Sequence, residues 1–257
     1  MILAALKAQG TTTFEEPYLS RNHTELMLKA RGANISVHST KITVNGPSGL
    51  KPMNMVIPGD ISSAAFFLVA AAICPGSKVE ILNTGINPTR DGVIEILEKM
   101  GAKINVKGKR EVSGELSGSI TAESSRLKPF VISGNIIPRL IDEIPALALA
   151  ATQAEGVSTI SGAEELRVKE SDRIKTIASE LNKMGAKIEE KKDGLIIHGK
   201  TFLKGAQVES YGDHRIAMTL AIAGLIAEGE TLIKDVECVD TSFPGFLELL
   251  QSITLSR

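Results

Sequence analysis

The densest run of charge in the sequence is Arg167-Val168-Lys169-Glu170-Ser171-Asp172-Arg173, five charges in seven residues. On a helix Lys169 and Arg173 would stand four apart and Glu170 and Arg173 three apart, placing two cations and a carboxylate on one face. A solvated helix start with ordinary ion pairs is one reading. A site for acid–base work on an anion is the other, favoured by so much charge beside a wholly apolar helix. A second cluster, Gly212-Asp213-His214-Arg215, opens the apolar run Ile216 to Ala227. Helix-start N–H groups and the helix dipole favour an anion there, and Arg215 adds a fork suited to carboxylate or phosphate. The plainer alternative is an N-cap Asp213 followed by a surface His214.

Two further helix starts carry polar groups. Asp142-Glu143 precedes Ile144-Pro145, and Asp60 and Asp213 hold the same slot in sister segments, so Asp142 is expected to cap a helix. A capping carboxylate can still serve as a base. In Ser20-Arg21-Asn22-His23-Thr24-Glu25 either Ser20 or Asn22 can cap, with Thr24 and Glu25 in the first turn. There is no GxGxxG, Walker loop, HExxH or Gly-x-Ser-x-Gly elbow. Arg, Lys and carboxylates at helix starts suit a small polyanionic substrate and acid–base chemistry with no metal and no organic cofactor.

The elements that must position these groups recur. Arg31-Gly32-Ala33-Asn34-Ile35 returns as Met100-Gly101-Ala102-Lys103-Ile104 and as Met184-Gly185-Ala186-Lys187-Ile188, each time after an amphipathic stretch. The glycine predicts a left-handed helix stop and the apolar residue after it a strand. Asp60, Asp142 and Asp213, spaced 82 and 71 residues apart, each open an apolar helix closed by glycine and an alternating strand. Asp193-Gly194 predicts a tight hairpin turn. Together these give an α/β (α+β) fold of β-α-β-α-β-β units, three copies from about residue 59 to the C-terminus and most of a fourth before them. Helices apolar all round must be buried, so they are expected inside a shell of sheets, with pseudo-threefold symmetry. Glycine and proline at Asn45 to Gly49 and Pro58-Gly59 mark an interdomain crossover, dividing the chain into 1–57 and 58–257.

Composition narrows the partners. The chain has 257 residues, 43% hydrophobic, with 29 basic against 30 acidic residues and a net charge of −1. So even a balance gives no grip on nucleic acid or an anionic membrane. Aromatic content of 4% with no tryptophan leaves no stacking platform for bases. Its apolar runs are too short to span a bilayer, and Cys74 and Cys238 form neither a disulfide framework nor a zinc spacing. A cytoplasmic protein is expected. The N-terminus, Ile2 to Gly10, reads as the second half of an apolar helix with its glycine stop, as though the chain started mid-element.

These motifs closely resemble the 5-enolpyruvylshikimate-3-phosphate synthase (3-phosphoshikimate 1-carboxyvinyltransferase) family. RVKESDR at 167–173 and DHRIAM at 213–218 are similar to its two diagnostic C-terminal motifs. PRLIDEIP at 138–145, GDISSAAFF at 59–67, SRNHTE at 20–25 and SFPGF at 242–246 are similar to further blocks in the same order. The resemblance implies transfer of the enolpyruvyl group of phosphoenolpyruvate to the 5-hydroxyl of shikimate 3-phosphate, without a cofactor. It implies Glu170 as the partner of phosphoenolpyruvate C3 and Asp142 as base and binder of the shikimate hydroxyls. Lys169 would be catalytic, meeting both the reacting centre and shikimate 3-phosphate, Ser20 and Arg21 would meet shikimate 3-phosphate, and Arg173, Arg215 and His214 phosphoenolpyruvate. Thr241 follows Asp240 where some members carry a lysine ahead of the SFPGF-like block. The family's N-terminal blocks have no counterpart, so the chain resembles a C-terminal portion, expected to be inactive without the missing part. The alternatives are a non-catalytic binding fragment or subunit of a split synthase and, more distantly, UDP-N-acetylglucosamine enolpyruvyl transferase, which lacks the RVKESDR and DHRIAM pairing.

Overall fold

The computed structural model describes residues 1–254. The chain opens with a short helix α1 (Ile2–Ala5), then β1 (Gly10–Glu15), α2 (His23–Ala30), β2 (Ile35–His38) and β3 (Lys41–Gly46), the strands forming an antiparallel sheet ordered β1-β3-β2. Leu28, Ile35, Ile42 and Val44 pack with Ala5 and Leu6 into a small apolar cluster of their own.

The larger core begins at α3 (Ile61–Ile73), followed by β4 (Lys78–Gly85), α4 (Gly92–Lys99) and the hairpin β5 (Lys103–Val112) and β6 (Glu115–Glu123). The next unit holds β7 (Val131–Ile132), α5 (Ile137–Leu140), α6 (Ile144–Thr152), β8 (Gly156–Ile160), α7 (Arg173–Lys183), β9 (Ile188–Lys191) and β10 (Gly194–Gly199). The last has β11 (Gln207–Glu209), α8 (His214–Gly224), β12 (Leu232–Lys234) and α9 (Phe246–Ile253). Each unit opens with a parallel pairing ahead of its apolar helix: Gly59 with Thr84, β7 with β8, and β11 with β12.

Helices α3, α6 and α8 pack on one another, and α3 and α6 are apolar on every face because every face is covered. Each Leu, Phe or Val so buried contributes about 1.5–3 kcal/mol. The amphipathic α4 and α7 lie outside, with Val93, Ile96 and Leu97, and Ile174, Ile177 and Leu181, turned inward. The sheets β4-β6-β5, β7-β8-β10-β9 and β11-β12 complete the shell. Among the described residues the third unit runs β11-α8-β12-α9 and lacks the final hairpin of the expected unit, while α9 takes the second-helix position and buries Phe246 and Leu250.

Local signals hold at the glycines after α2, α4 and α7, where Gly32, Gly101 and Gly185 have φ of +92°, +81° and +92°. The hairpin turn sits one residue earlier than expected. Lys191 pairs with Gly194, so Lys192 and Asp193 make the turn. Gly194 is required instead by close packing, since a Cβ there would lie 1.8 Å from the Ile160 carbonyl oxygen. At the N-terminus only Ile2–Ala5 is helical, shorter than the run to Gly10 had implied.

Candidate active site

Asp142 is the meeting point. It does not cap α6 as expected but lies inside a 3-10 turn, Ile141–Glu143, with its carboxylate turned to three arginines. Arg21 Nη2 reaches it at 2.6 Å, Arg173 Nη1 at 3.4 Å and Arg215 Nη2 at 3.6 Å, and Arg215 Nη1 also donates to the Asp142 carbonyl at 3.4 Å. Burial alone would raise this carboxyl, but Arg215, Arg21 and Arg173 outweigh it and hold it down at about 2.

Arg173 begins α7 behind the Asp172 cap, whose carboxylate accepts from the Lys175 N–H at 3.1 Å. Only 1% of its side chain is exposed, and it is fixed by carboxylates on every side. Its Nε donates to Asp213 Oδ2 at 2.8 Å and its Nη2 to Glu170 Oε2 at 2.5 Å. Asp213 is fully buried and caps α8, accepting also from the Arg215 N–H and the Ser171 hydroxyl, both at 3.0 Å. Burial works against its charge, yet Arg173 and these donors hold its carboxyl below the ordinary range. His214 Nδ1 lies 4.0 Å from Glu170 Oε1, and burial with the neighbouring Arg215 pushes the imidazole below its usual value, toward the neutral form at pH 7.

Thus Asp142, Glu170, Arg173, His214, Arg215 and Arg21 converge, drawn from three helix starts and from the segment ahead of α2. Two of the expected site residues stand apart. Lys169 does not share a helical face with Arg173, because Asp172 starts a new helix after the 3-10 turn Glu164–Val168; its ammonium pairs with Glu165 at 2.5 Å. The Ser20 hydroxyl donates to Glu16 at 2.8 Å, and neither Ser20 nor Asn22 caps α2 through its side chain. Instead Asn22 Oδ1 accepts from Asn87 Nδ2 at 2.8 Å, and His23 Nδ1 sits 2.7 Å from Glu115, tying α2 to the first unit of the larger core.

Sequence reasoning passed over two features. One is the pair Arg90–Asp60, at 2.7 Å, whose counterpart in the next unit is Arg173–Asp142, at 3.4 Å. Asp60 and Asp142 share a slot, and Arg90 and Arg173 each stand at the start of an outer helix, so aligning the repeats would have revealed it. The other is Glu143, only 1% exposed and without an ion-pair partner among the described residues. Burial pushes its carboxyl up to about 7 against the pull of the Ser62 hydroxyl and of Arg215. A cavity of about 360 Å³ lies elsewhere, between α2 and the segment 55–61 that leads into α3, lined by His23, Met27, Met55, Ile57 and Asn87 among others.

The three guanidiniums balance the charges of Asp142, Asp213 and Glu170, so an entering anion must compete with carboxylates for them. A guanidinium drawn toward such an anion returns basicity to Asp142. The arrangement can therefore grip a small polyanion and make Asp142 a stronger base as it binds.

The pattern of the family described as EPSP synthase (3-phosphoshikimate 1-carboxyvinyltransferase) matches residues 1–250. The 3-phosphoshikimate 1-carboxyvinyltransferase of Bacillus thuringiensis (strain Al Hakam) is 54% identical over 254 residues, 99% of this chain and 59% of the relative. That of Thermoanaerobacter sp. (strain X514) is 55% identical over 246 residues, 96% of this chain and 58% of the relative. A solved EPSP synthase from Acinetobacter baumannii superposes with a TM-score of 0.94 at 44% identity, over 99% of this chain and 59% of that one. The chain thus spans about three fifths of the length of the relatives it matches.

Proposed function

The chain belongs to the EPSP synthase (3-phosphoshikimate 1-carboxyvinyltransferase) family, and on that premise we propose that it carries the phosphoenolpyruvate half of an enolpyruvyl-transfer site. The reaction moves the enolpyruvyl group of phosphoenolpyruvate to the 5-hydroxyl of shikimate 3-phosphate and releases phosphate. The observation that carries the proposal is the convergence of Arg21, Arg173 and Arg215 on Asp142, from segments far apart in the chain.

In the first step C3 of phosphoenolpyruvate takes a proton while the 5-hydroxyl oxygen bonds to C2 and gives up its own proton. In the second, C3 loses a proton and the C2–O bond to phosphate breaks, restoring the double bond. Two carboxylates suit these demands. Glu170, half exposed and held by Arg173, is assigned the exchange of the C3 proton. Asp142 takes the hydroxyl side, and at about 2 it is a weak base until substrate anions draw its arginines away. Arg173 and Arg215 offer forks to the carboxylate and phosphate of phosphoenolpyruvate, with neutral His214 beside them. Arg21 and, after rotation away from Glu165 and Glu16, Lys169 and Ser20 are assigned to shikimate 3-phosphate. Residues 1–57 are assigned to a first domain and 58–257 to a second, completed by the portion of the relatives that the chain does not span; a cytoplasmic setting belongs to the same proposal.

The test is phosphate release from the two substrates by the chain joined to that additional portion. Asp142→Asn and Glu170→Gln are each expected to cut turnover at least about 100-fold with the fold intact, the usual scale for a lost acid–base group. Unchanged turnover in a variant would leave its carboxylate with a structural role only.

A further inference from the structure

Glu143 has no task in the scheme above, yet its placement is unusual. Its carboxyl group is buried at the start of α6, and among the described residues it forms no ion pair, the Ser62 hydroxyl being the donor that bears on it. Buried carboxyls are ordinarily paired or bonded, because an isolated charge in low dielectric is costly. The groups that act on it come from each element nearby: Ser62 from the first turn of α3, Arg90 from ahead of α4, Asp142 from its own turn, and Arg215 from the first turn of α8. Of the charged groups Arg215 bears on it most, and its Nη1 donates to the carbonyl of the Asp142–Glu143 peptide bond while its Nη2 faces the Asp142 carboxylate.

We propose that Glu143 is a positioning residue that couples occupancy of the Arg173–Arg215 site by a small oxyanion to uptake of one proton from solvent at the Glu143 carboxylate. The proposal rests on reading those arginines as the anion site. An anion there offsets the positive field of Arg215, which is what favours the ionised form of Glu143, and the proton taken up cancels the buried charge. Burial and Asp142 push Glu143 up toward protonation and the arginines push it down, so the group is poised near neutrality, at about 7. His214 is displaced in the opposite direction, to the acid side of its ordinary value, so its titration is separable. By linkage the anion must bind more weakly as pH rises and Glu143 ionises.

The experiment uses the chain labelled with carbon-13 at glutamate side-chain carboxyls and with nitrogen-15 at arginine guanidiniums, titrated from acid to alkaline pH by NMR with and without sulfate, which does not itself titrate in the range. The Glu143 signal is identified by its loss in Glu143→Gln, or in Glu143→Asp should the first variant fail to fold. Its midpoint is expected near 7, raised by about half a pH unit or more at saturating sulfate, which corresponds to a roughly threefold loss of sulfate affinity across the titration. That loss should be absent in whichever variant folds. A Glu143 signal that titrates like an ordinary glutamate, or a midpoint unmoved while sulfate shifts the Arg173 and Arg215 side-chain signals, overturns the coupling alone. Arginine signals that sulfate leaves unmoved overturn the anion-site reading and the coupling with it.

Discussion

Replacing Arg173 by alanine separates a structural ion pair from a surface one. The guanidinium is 1% exposed and Asp213 fully buried, so removing the arginine leaves a carboxylate in low dielectric with two neutral donors, the Ser171 hydroxyl and the Arg215 N–H. Breaking such a pair from one side costs about 3–5 kcal/mol, a large share of the roughly 5–15 kcal/mol that holds a domain folded. Replacing both partners, as in Arg173→Met with Asp213→Asn, removes the stranded charge and should cost less than the two single changes together. Urea unfolding of the four proteins at pH 7 measures the coupling, expected to be about 2 kcal/mol or more. The direction with pH follows from Asp213. Its carboxyl is held below 3.8 in the folded chain, so the stability it contributes is present above that value and is lost as pH falls through the folded value. The gap between wild type and Arg173→Ala should therefore narrow in acid. A cost under about 1 kcal/mol, or additive single and double changes, would refute the argument that this pair is a desolvated unit.

Other consequences can be checked in the same way. Gly194→Ala sets a Cβ 1.8 Å from the Ile160 carbonyl oxygen in the β8–β10 pairing, and thermal unfolding should show a loss of about 3 kcal/mol, the upper range for overpacking. For Glu143, raised from 4.5 to about 7, the stabilising contribution is present below pH 4.5 and lost as pH rises through 7. Wild type should thus lose about 3 kcal/mol relative to Glu143→Gln between pH 4.5 and pH 8; parallel stability curves would show that the carboxyl is not buried as described.

The fold was legible where a local rule and a repeated pattern agreed. The glycines after three outer helices and the aspartates ahead of α3 and α8 act as their positions predict. The same repeat logic misled at Asp142, where a shared slot predicted a third cap. The difference lies in Arg21 and Arg215, which stand 121 and 73 positions away, beyond the reach of any local rule. Lys169 shows the opposite failure: a helical spacing was assumed through Asp172, whose own capping bond begins the helix after Lys169. Glu143 was passed over because burial, not residue type, makes it unusual.

The central claim is most directly tested by product formation. The chain joined to the portion of its relatives that it does not span is supplied with shikimate 3-phosphate and phosphoenolpyruvate labelled with carbon-13 at C3, and NMR follows the methylene signal of the enol ether product. The account predicts a new enol ether signal growing in step with free phosphate, and its loss in Glu170→Gln. A joined protein that folds and binds both substrates yet forms no enol ether, or one whose Glu170→Gln variant forms it at the wild-type rate, would contradict it.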